Sequence, residues 1–117
     1  MTYPASRMLD ALGDPTRRLV FERLAEGPRA VGELAESLPV TRPAVSQHLK
    51  VLKEAGLVLD RADGTRRLYR ANPAAFVALR SYLDRFWDRA LLAFKKAAER
   101  EAQLQKAGDR ERKERSR

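Results

Sequence analysis

The sequence predicts a mainly helical fold in which two short helices meet at a tight turn, a two-stranded β-hairpin follows, and one long helix closes the chain. Three observations predict it. Residues 31–57, VGELAESLPVTRPAVSQHLKVLKEAGL, hold two helical apolar patterns separated by a proline stop. Residues 57–71, LVLDRADGTRRLYRA, form two strand-like runs around Asp63-Gly64, a strong hairpin signal. From Asn72-Pro73 onward, an apolar stripe recurs at nearly heptad spacing.

Taken in order, the first helix is expected over Pro4 to Leu12, where Met8, Leu9 and Leu12 give a modest apolar face before Gly13 ends it. Asp14 supplies the oxygen that caps a second helix, and Pro15 sits in its first turn, where a missing N–H costs little. Leu19, Val20, Leu24 and Ala25 form its inward face, and Gly27-Pro28 closes it. The third helix has Glu33 where a capping box places it, but Ala30 at the N-cap has no side-chain oxygen, so its start is expected to fray. Val31, Leu34, Ala35 and Leu38 share one face, and Pro39 stops the helix. Thr41 opens the fourth helix with Pro43 in its first turn. Val45, Leu49 and Leu52 then recur at i, i+4 and i+7, leaving Pro43, Ser46, Gln47 and Lys50 outward.

That outward face is polar, cationic and rich in hydrogen-bonding groups, the chemistry with which a helix reads the major groove of DNA. Thr41, Arg42, Pro43, Ser46, Gln47 and Lys50 are the expected groove-facing set. His48, the only histidine, has two readings: a contact near the groove, or a polar residue packed at the edge of the core, and the helical wheel favours the second slightly. The hairpin carries Arg61, Arg66, Arg67 and Arg70, which suit the sugar-phosphate backbone or a minor groove. Such arginines also serve as a solvated strand edge that discourages aggregation. Their position directly after the two helices favours the first reading, and the whole is a winged helix-turn-helix with a two-stranded β-hairpin wing and a long C-terminal dimerisation helix.

The chain resembles the ArsR family of bacterial winged helix-turn-helix transcription regulators from about Arg7 to about Ala98. The marks, in family order and spacing, are LGDPTRRLVFERLAEGP at residues 12–28, VGELAESL at 31–38, RPAVSQHLKVLKEAGLV at 42–58 and DGTRRLYR at 63–70. The resemblance implies a compact dimer that binds an imperfect inverted repeat near a promoter and blocks transcription until a signal releases it. Many relatives sense metals through a thiolate site in the third helix, where this chain has Leu34-Ala35-Glu36-Ser37, and through histidines in the last helix that are missing here. Asp84 and Asp88 lie one turn apart, but with Arg85 and Arg89 beside them they read as surface ion-pairing groups. YLDRFWDRAL at residues 82–91 looks like the metal-independent branch.

Composition agrees with this picture. A chain of 117 residues is sized for one core, and a net charge of +8 favours a polyanionic partner, with double-stranded DNA the commonest for a soluble basic domain. Cysteine is absent, which removes disulfides, thiolate metal sites and cysteine redox sensing. No apolar run is long enough to span a membrane and no export signal is apparent, so the cytoplasm is the default location and no membrane partner is expected. No cofactor and no metal site is expected, and no Ser/His/Asp or Cys/His arrangement or phosphate-cradling glycine loop points to catalysis. Residues 1–98 read as one DNA-binding and dimerisation domain. Residues 99–117 read as a charged, mobile tail in which Leu104 is the only large apolar residue and Gly108 interrupts any continuing helix.

In the last helix Phe76, Leu79, Leu83, Phe86, Ala90 and Phe94 make the stripe, widened by Trp87 and Leu91. A small domain whose core already closes around the reader helices leaves such a face exposed unless a partner covers it. A homodimer is therefore expected, with Met8 and Leu12 of the first helix and Phe76, Leu79, Leu83, Phe86, Trp87, Ala90 and Phe94 of the last at its interface. Two other readings stay open: a winged-helix module whose basic face docks an acidic protein, and an architectural DNA binder without sequence preference. The polar, groove-sized face of the fourth helix weighs against the first, and Ser46 and Gln47 against the second. No residue pattern names an effector.

Overall fold

Val45, Leu49 and Leu52 do occupy one face of a helix, α4 (Arg42–Glu54), and all three are buried. Its other face is left to solvent, so this amphipathic helix fixes the orientation of the fold around it. The computed structural model describes residues 4–116; residues 1–3 of the expected domain and residue 117 of the expected tail lie outside that range.

Before α4 come α1 (Ala5–Ala11), α2 (Pro15–Glu26), β1 (Arg29–Ala30) and α3 (Val31–Ser37). After it come β2 (Val58–Asp63), β3 (Arg66–Ala71) and α5 (Pro73–Arg115). The backbone divides into two units, one ending at Ser81 and one beginning at Tyr82. In the first unit, Val20, Phe21 and Leu24 of α2, Leu34 of α3 and the three α4 residues join Leu38, Leu57, Val58, Met8, Ala11 and Ala75 in one hydrophobic cluster. Burying each leucine or valine there contributes about 1.5–3 kcal/mol before the entropy of ordering it is counted.

The helix starts follow the local chemistry of the sequence. Asp14 accepts the Arg17 N–H at 2.9 Å, and Pro15 opens α2. Thr41 Oγ1 accepts the Ala44 N–H at 3.3 Å, with Pro43 in the first turn of α4. Asn72 Oδ1 accepts the Ala74 N–H at 3.1 Å just before Pro73 opens α5. Each cap meets a backbone donor that has no partner inside its helix.

Several expectations need correction. The sheet has three antiparallel strands in the order β1-β3-β2, because Arg29 and Ala30 pair with Tyr69 and Leu68. That pairing also fixes the start of α3, which was expected to fray: β1 holds the chain up to Ala30, and Glu33 Oε1 accepts the Ala30 N–H at 3.4 Å. The hairpin loop is Gly64-Thr65 rather than Asp63-Gly64, since Asp63 pairs with Arg66. Gly64 has φ +62° and Thr65 an ordinary negative φ, the pattern of a two-residue turn with glycine first. Pro4 and Leu12 are the caps of α1 rather than members of it.

Helix α5 continues through Gly108 to Arg115 instead of breaking there. One glycine costs a helix about 1 kcal/mol relative to alanine, and the flanking Ala, Gln, Lys, Arg and Glu residues are good helix formers. Met8, expected at an interface, is only 3% exposed and belongs to the core of its own chain. A methionine in a helix of about two turns is as readily a gap-filler of the core as a surface contact, and here α1 presents it to the core.

Candidate nucleic-acid interface

Because the apolar face of α4 is committed to the core, the side chains of Thr41, Arg42, Pro43, Ser46, Gln47 and Lys50 are left together and exposed. Hydroxyl, amide, guanidinium and ammonium groups thus share one convex helix surface. His48 is half-buried at the boundary of that face, the placement the helical wheel favours. It lies close enough to Asp14 for its charge to help hold that carboxyl below the usual range, behind the larger effect of the Arg17 N–H bond.

The hairpin brings its arginines alongside in a more differentiated way than their sequence suggests. The register pairs Leu59 with Arg70, Arg61 with Leu68, Ala62 with Arg67 and Asp63 with Arg66. Alternation along each strand then puts Arg61, Arg66 and Arg70 on one face of the wing and Arg67 on the other, with Asp60. Arg66 Nη1 donates to Glu33 Oε1 at 3.0 Å, and its Nε to Asp63 Oδ2 at 3.4 Å. Arg67 Nε donates to Asp60 Oδ2 at 2.9 Å. Arg61 and Arg70 are exposed, with no ion pair among the described residues.

Three of the expected residues converge at one cleft. Arg42 from α4 and Arg66 and Arg67 from β3 line it together with Gly32, Glu33 and Glu36 of α3. Its cations come from two elements far apart in sequence, and its carboxylates from a third. Sequence reasoning missed the acidic partners Glu33 and Asp60, as well as Lys53, whose Nζ lies 2.9 Å from Asp60 Oδ1. Only the strand register and the packing of α3 and α4 on the sheet bring these groups together. Among the described residues, no cluster of three His, Asp or Glu side chains is arranged to hold a metal ion.

A helix-turn-helix with an arginine-bearing wing has well-defined relatives. Residues 14–59 match the model for the family described as bacterial regulatory protein, arsR family. An HTH-type transcriptional regulator of Mycobacterium tuberculosis, Rv2034, is 64% identical over 88 residues, which is 75% of this chain and 82% of the relative. The chain belongs to the ArsR family. This ArsR protein is also similar to the HTH-type transcriptional repressor SmtB of M. tuberculosis, at 46% identity over 66 residues covering 56% of this chain and 49% of SmtB. An ArsR-like transcriptional regulator from Rhodococcus sp. RHA1 superimposes with a TM-score of 0.69 at 34% identity, covering 80% of this chain and 92% of that one. This member of the family is therefore a winged helix-turn-helix transcriptional regulator, and the family is one of DNA-binding proteins and not of enzymes. No described helix is long and apolar enough to cross a membrane.

Proposed function

We propose that this member of the ArsR family is a dimeric repressor that seats α4 in the major groove of an inverted-repeat operator and grips the flanking backbone with its wing. The observation that carries the reading is the two-sidedness of α4: Val45, Leu49 and Leu52 are sealed in the core while Thr41, Arg42, Ser46, Gln47 and Lys50 are exposed. Such a face offers base-reading amide and hydroxyl groups between cations that meet phosphates. Gln47 is suited to adenine, and Lys50 and Arg42 to guanine or phosphate. Arg61, Arg66 and Arg67 are the wing contacts, and His48 acts at the margin of the helix rather than at its centre.

Dimerisation is supported by the aromatic side of α5, where Phe86 is 57% exposed and Trp87 61%, with Leu83, Leu91 and Phe94 also exposed. Water-facing aromatics in such a run are a cost that a second copy removes. Leu83, Phe86, Trp87, Ala90 and Phe94 form the centre of the proposed contact. Leu12, Phe76 and Leu79, in the first unit, are further proposed contacts that also serve their own chain: Leu12 and Leu79 pack on the core, and Phe76 stacks on Phe21 at a centroid distance of 5.5 Å. A two-fold dimer presents two recognition helices roughly 34 Å apart, one turn of duplex. The chain acts in the cytoplasm, where the DNA of a bacterial cell lies.

Selection from a random-sequence duplex library tests this reading. Enrichment of an inverted repeat whose half-sites are centred about 10 base pairs apart is the expected result. Enrichment of no motif overturns sequence reading by α4, and enrichment of a lone half-site overturns the dimer.

A further inference from the structure

We propose that Asp60 sets the angle between the recognition helix α4 and the wing, and thereby how sharply the protein discriminates its operator from other DNA. The proposal rests on the DNA-binding reading above. Asp60 is the third residue of β2, and each of its two carboxylate oxygens is taken by a cation from a different element. Oδ1 receives Lys53 Nζ at 2.9 Å from the last turn of α4, and Oδ2 receives Arg67 Nε at 2.9 Å from β3. The Asp60 side chain is only 9% exposed, whereas its partners stay above half.

The other ion pairs of the wing differ in kind. Arg66 with Glu33 and Arg66 with Asp63 are exposed at both ends, where solvent and salt leave little net attraction. A shielded carboxylate holding two cations is screened far less, and its carboxyl is held below the usual range by the Lys53 and Arg67 hydrogen bonds. Asp60 also stands between two cation-bearing elements that approach a polyanion, so as bare charge it lowers affinity for every duplex alike. A role as a strut reconciles its sign with its place. With Lys53 and Arg67 pinned to one carboxylate, the base-reading face of α4 and the phosphate-gripping wing keep a fixed mutual geometry, and only a duplex that suits both binds fully.

Charge alone and positioning differ in one readout for Asp60→Asn: loss of bare charge raises affinity for both duplexes and leaves their ratio unchanged, whereas loss of positioning lowers the ratio. The experiment measures binding of wild type and variant to the duplex selected by wild type and to its shuffled counterpart, across a salt series, with circular dichroism melts for each. If Asp60 is a strut, the variant binds the shuffled duplex at least as well as wild type, with a salt slope steeper by about one as Lys53 is released. Its ratio of selected to shuffled affinity falls about tenfold or more. Lys53→Gln cuts the same strut from the other end while removing a positive charge, so affinity for the shuffled duplex falls, yet the ratio falls as well. An unchanged ratio in either folded variant overturns the proposal and leaves DNA reading standing. Failure of wild type itself to discriminate between the two duplexes overturns both.

Discussion

The guanidinium of Arg42, at the first position of α4, lies over the backbone of Gly32 in α3, so that a Cβ at position 32 would overlap Arg42 Nη2 and sit 3.1 Å from its Cζ. Gly32 therefore makes room for a cation of the reading face. Gly32→Ala removes that room at little cost to the fold, because the end of an arginine side chain moves readily, and alanine is favoured in a helix by about 1 kcal/mol. The expected outcome is a thermal midpoint equal to or above that of wild type, combined with weaker duplex binding and a salt slope lower by about one. Unchanged binding in the alanine variant would separate Arg42 from the interface.

Asn72 joins the turn after α4 to the start of α5. Its Nδ2 donates to the Gly56 carbonyl at 2.9 Å, its Oδ1 caps Ala74 N–H, and its own N–H donates to the Leu57 carbonyl at 2.8 Å. Asn72→Ala keeps only the last of these and leaves a partly buried carbonyl without its donor. A loss of about 1–2 kcal/mol in chemical denaturation is expected. Asn72→Asp, which retains the cap acceptor but not the Gly56 donor, should fall between wild type and alanine; equality of all three would mean that neither bond matters.

How far these features could be read from the sequence depends on their range along the chain. Asp14-Pro15, Thr41 with Pro43, and Asn72-Pro73 are local signals, since an oxygen and a proline a residue or two apart act on the same turn, and all three open helices as expected. The inward set Val45, Leu49 and Leu52 is likewise a local pattern, and it carries the outward face with it. β1 was missed because two residues have no periodicity to detect, and its existence depends on Tyr69 and Leu68 far away. The split of Arg66 and Arg67 onto opposite wing faces is the alternation of any strand, whereas the seat of Asp60 between Lys53 and Arg67 depends on how α4 packs against β2, which no local pattern carries. Gly108 does not end α5, because a glycine lowers helix stability without forbidding the helix.

Acid should expose the contribution of Asp60. Its carboxyl, like that of Asp14, is held below its ordinary value in the folded state, so the unfolded chain binds the extra protons first. That contribution is complete above about pH 4, the ordinary carboxylate range, and is lost as the pH falls further through the folded-state value. Urea midpoints of wild type and Asp60→Asn measured from pH 7 down to pH 3 should differ most at neutral pH and converge in acid. A gap that widened on acidification would contradict the paired carboxylate.

The aromatic side of α5 is expected to hold two copies together. Phe86→Asp changes an exposed residue, so the helix content and the melting of the first unit should survive. Sedimentation equilibrium should find wild type dimeric and the variant monomeric at the same concentration, with operator binding weakened because two half-sites are no longer engaged at once. A wild type that is monomeric at concentrations where it binds DNA would remove the dimer from the account.

The central claim is that the exposed face of α4 reads sequence, and one titration tests it most directly. Fluorescence anisotropy with the selected duplex and its shuffled counterpart, at near-physiological salt, should give wild-type binding about a thousandfold tighter for the selected site, with Gln47→Ala losing roughly 1–3 kcal/mol of discrimination at one base pair. Equal, steeply salt-dependent binding to both duplexes would contradict it and reduce the helix to a carrier of charge.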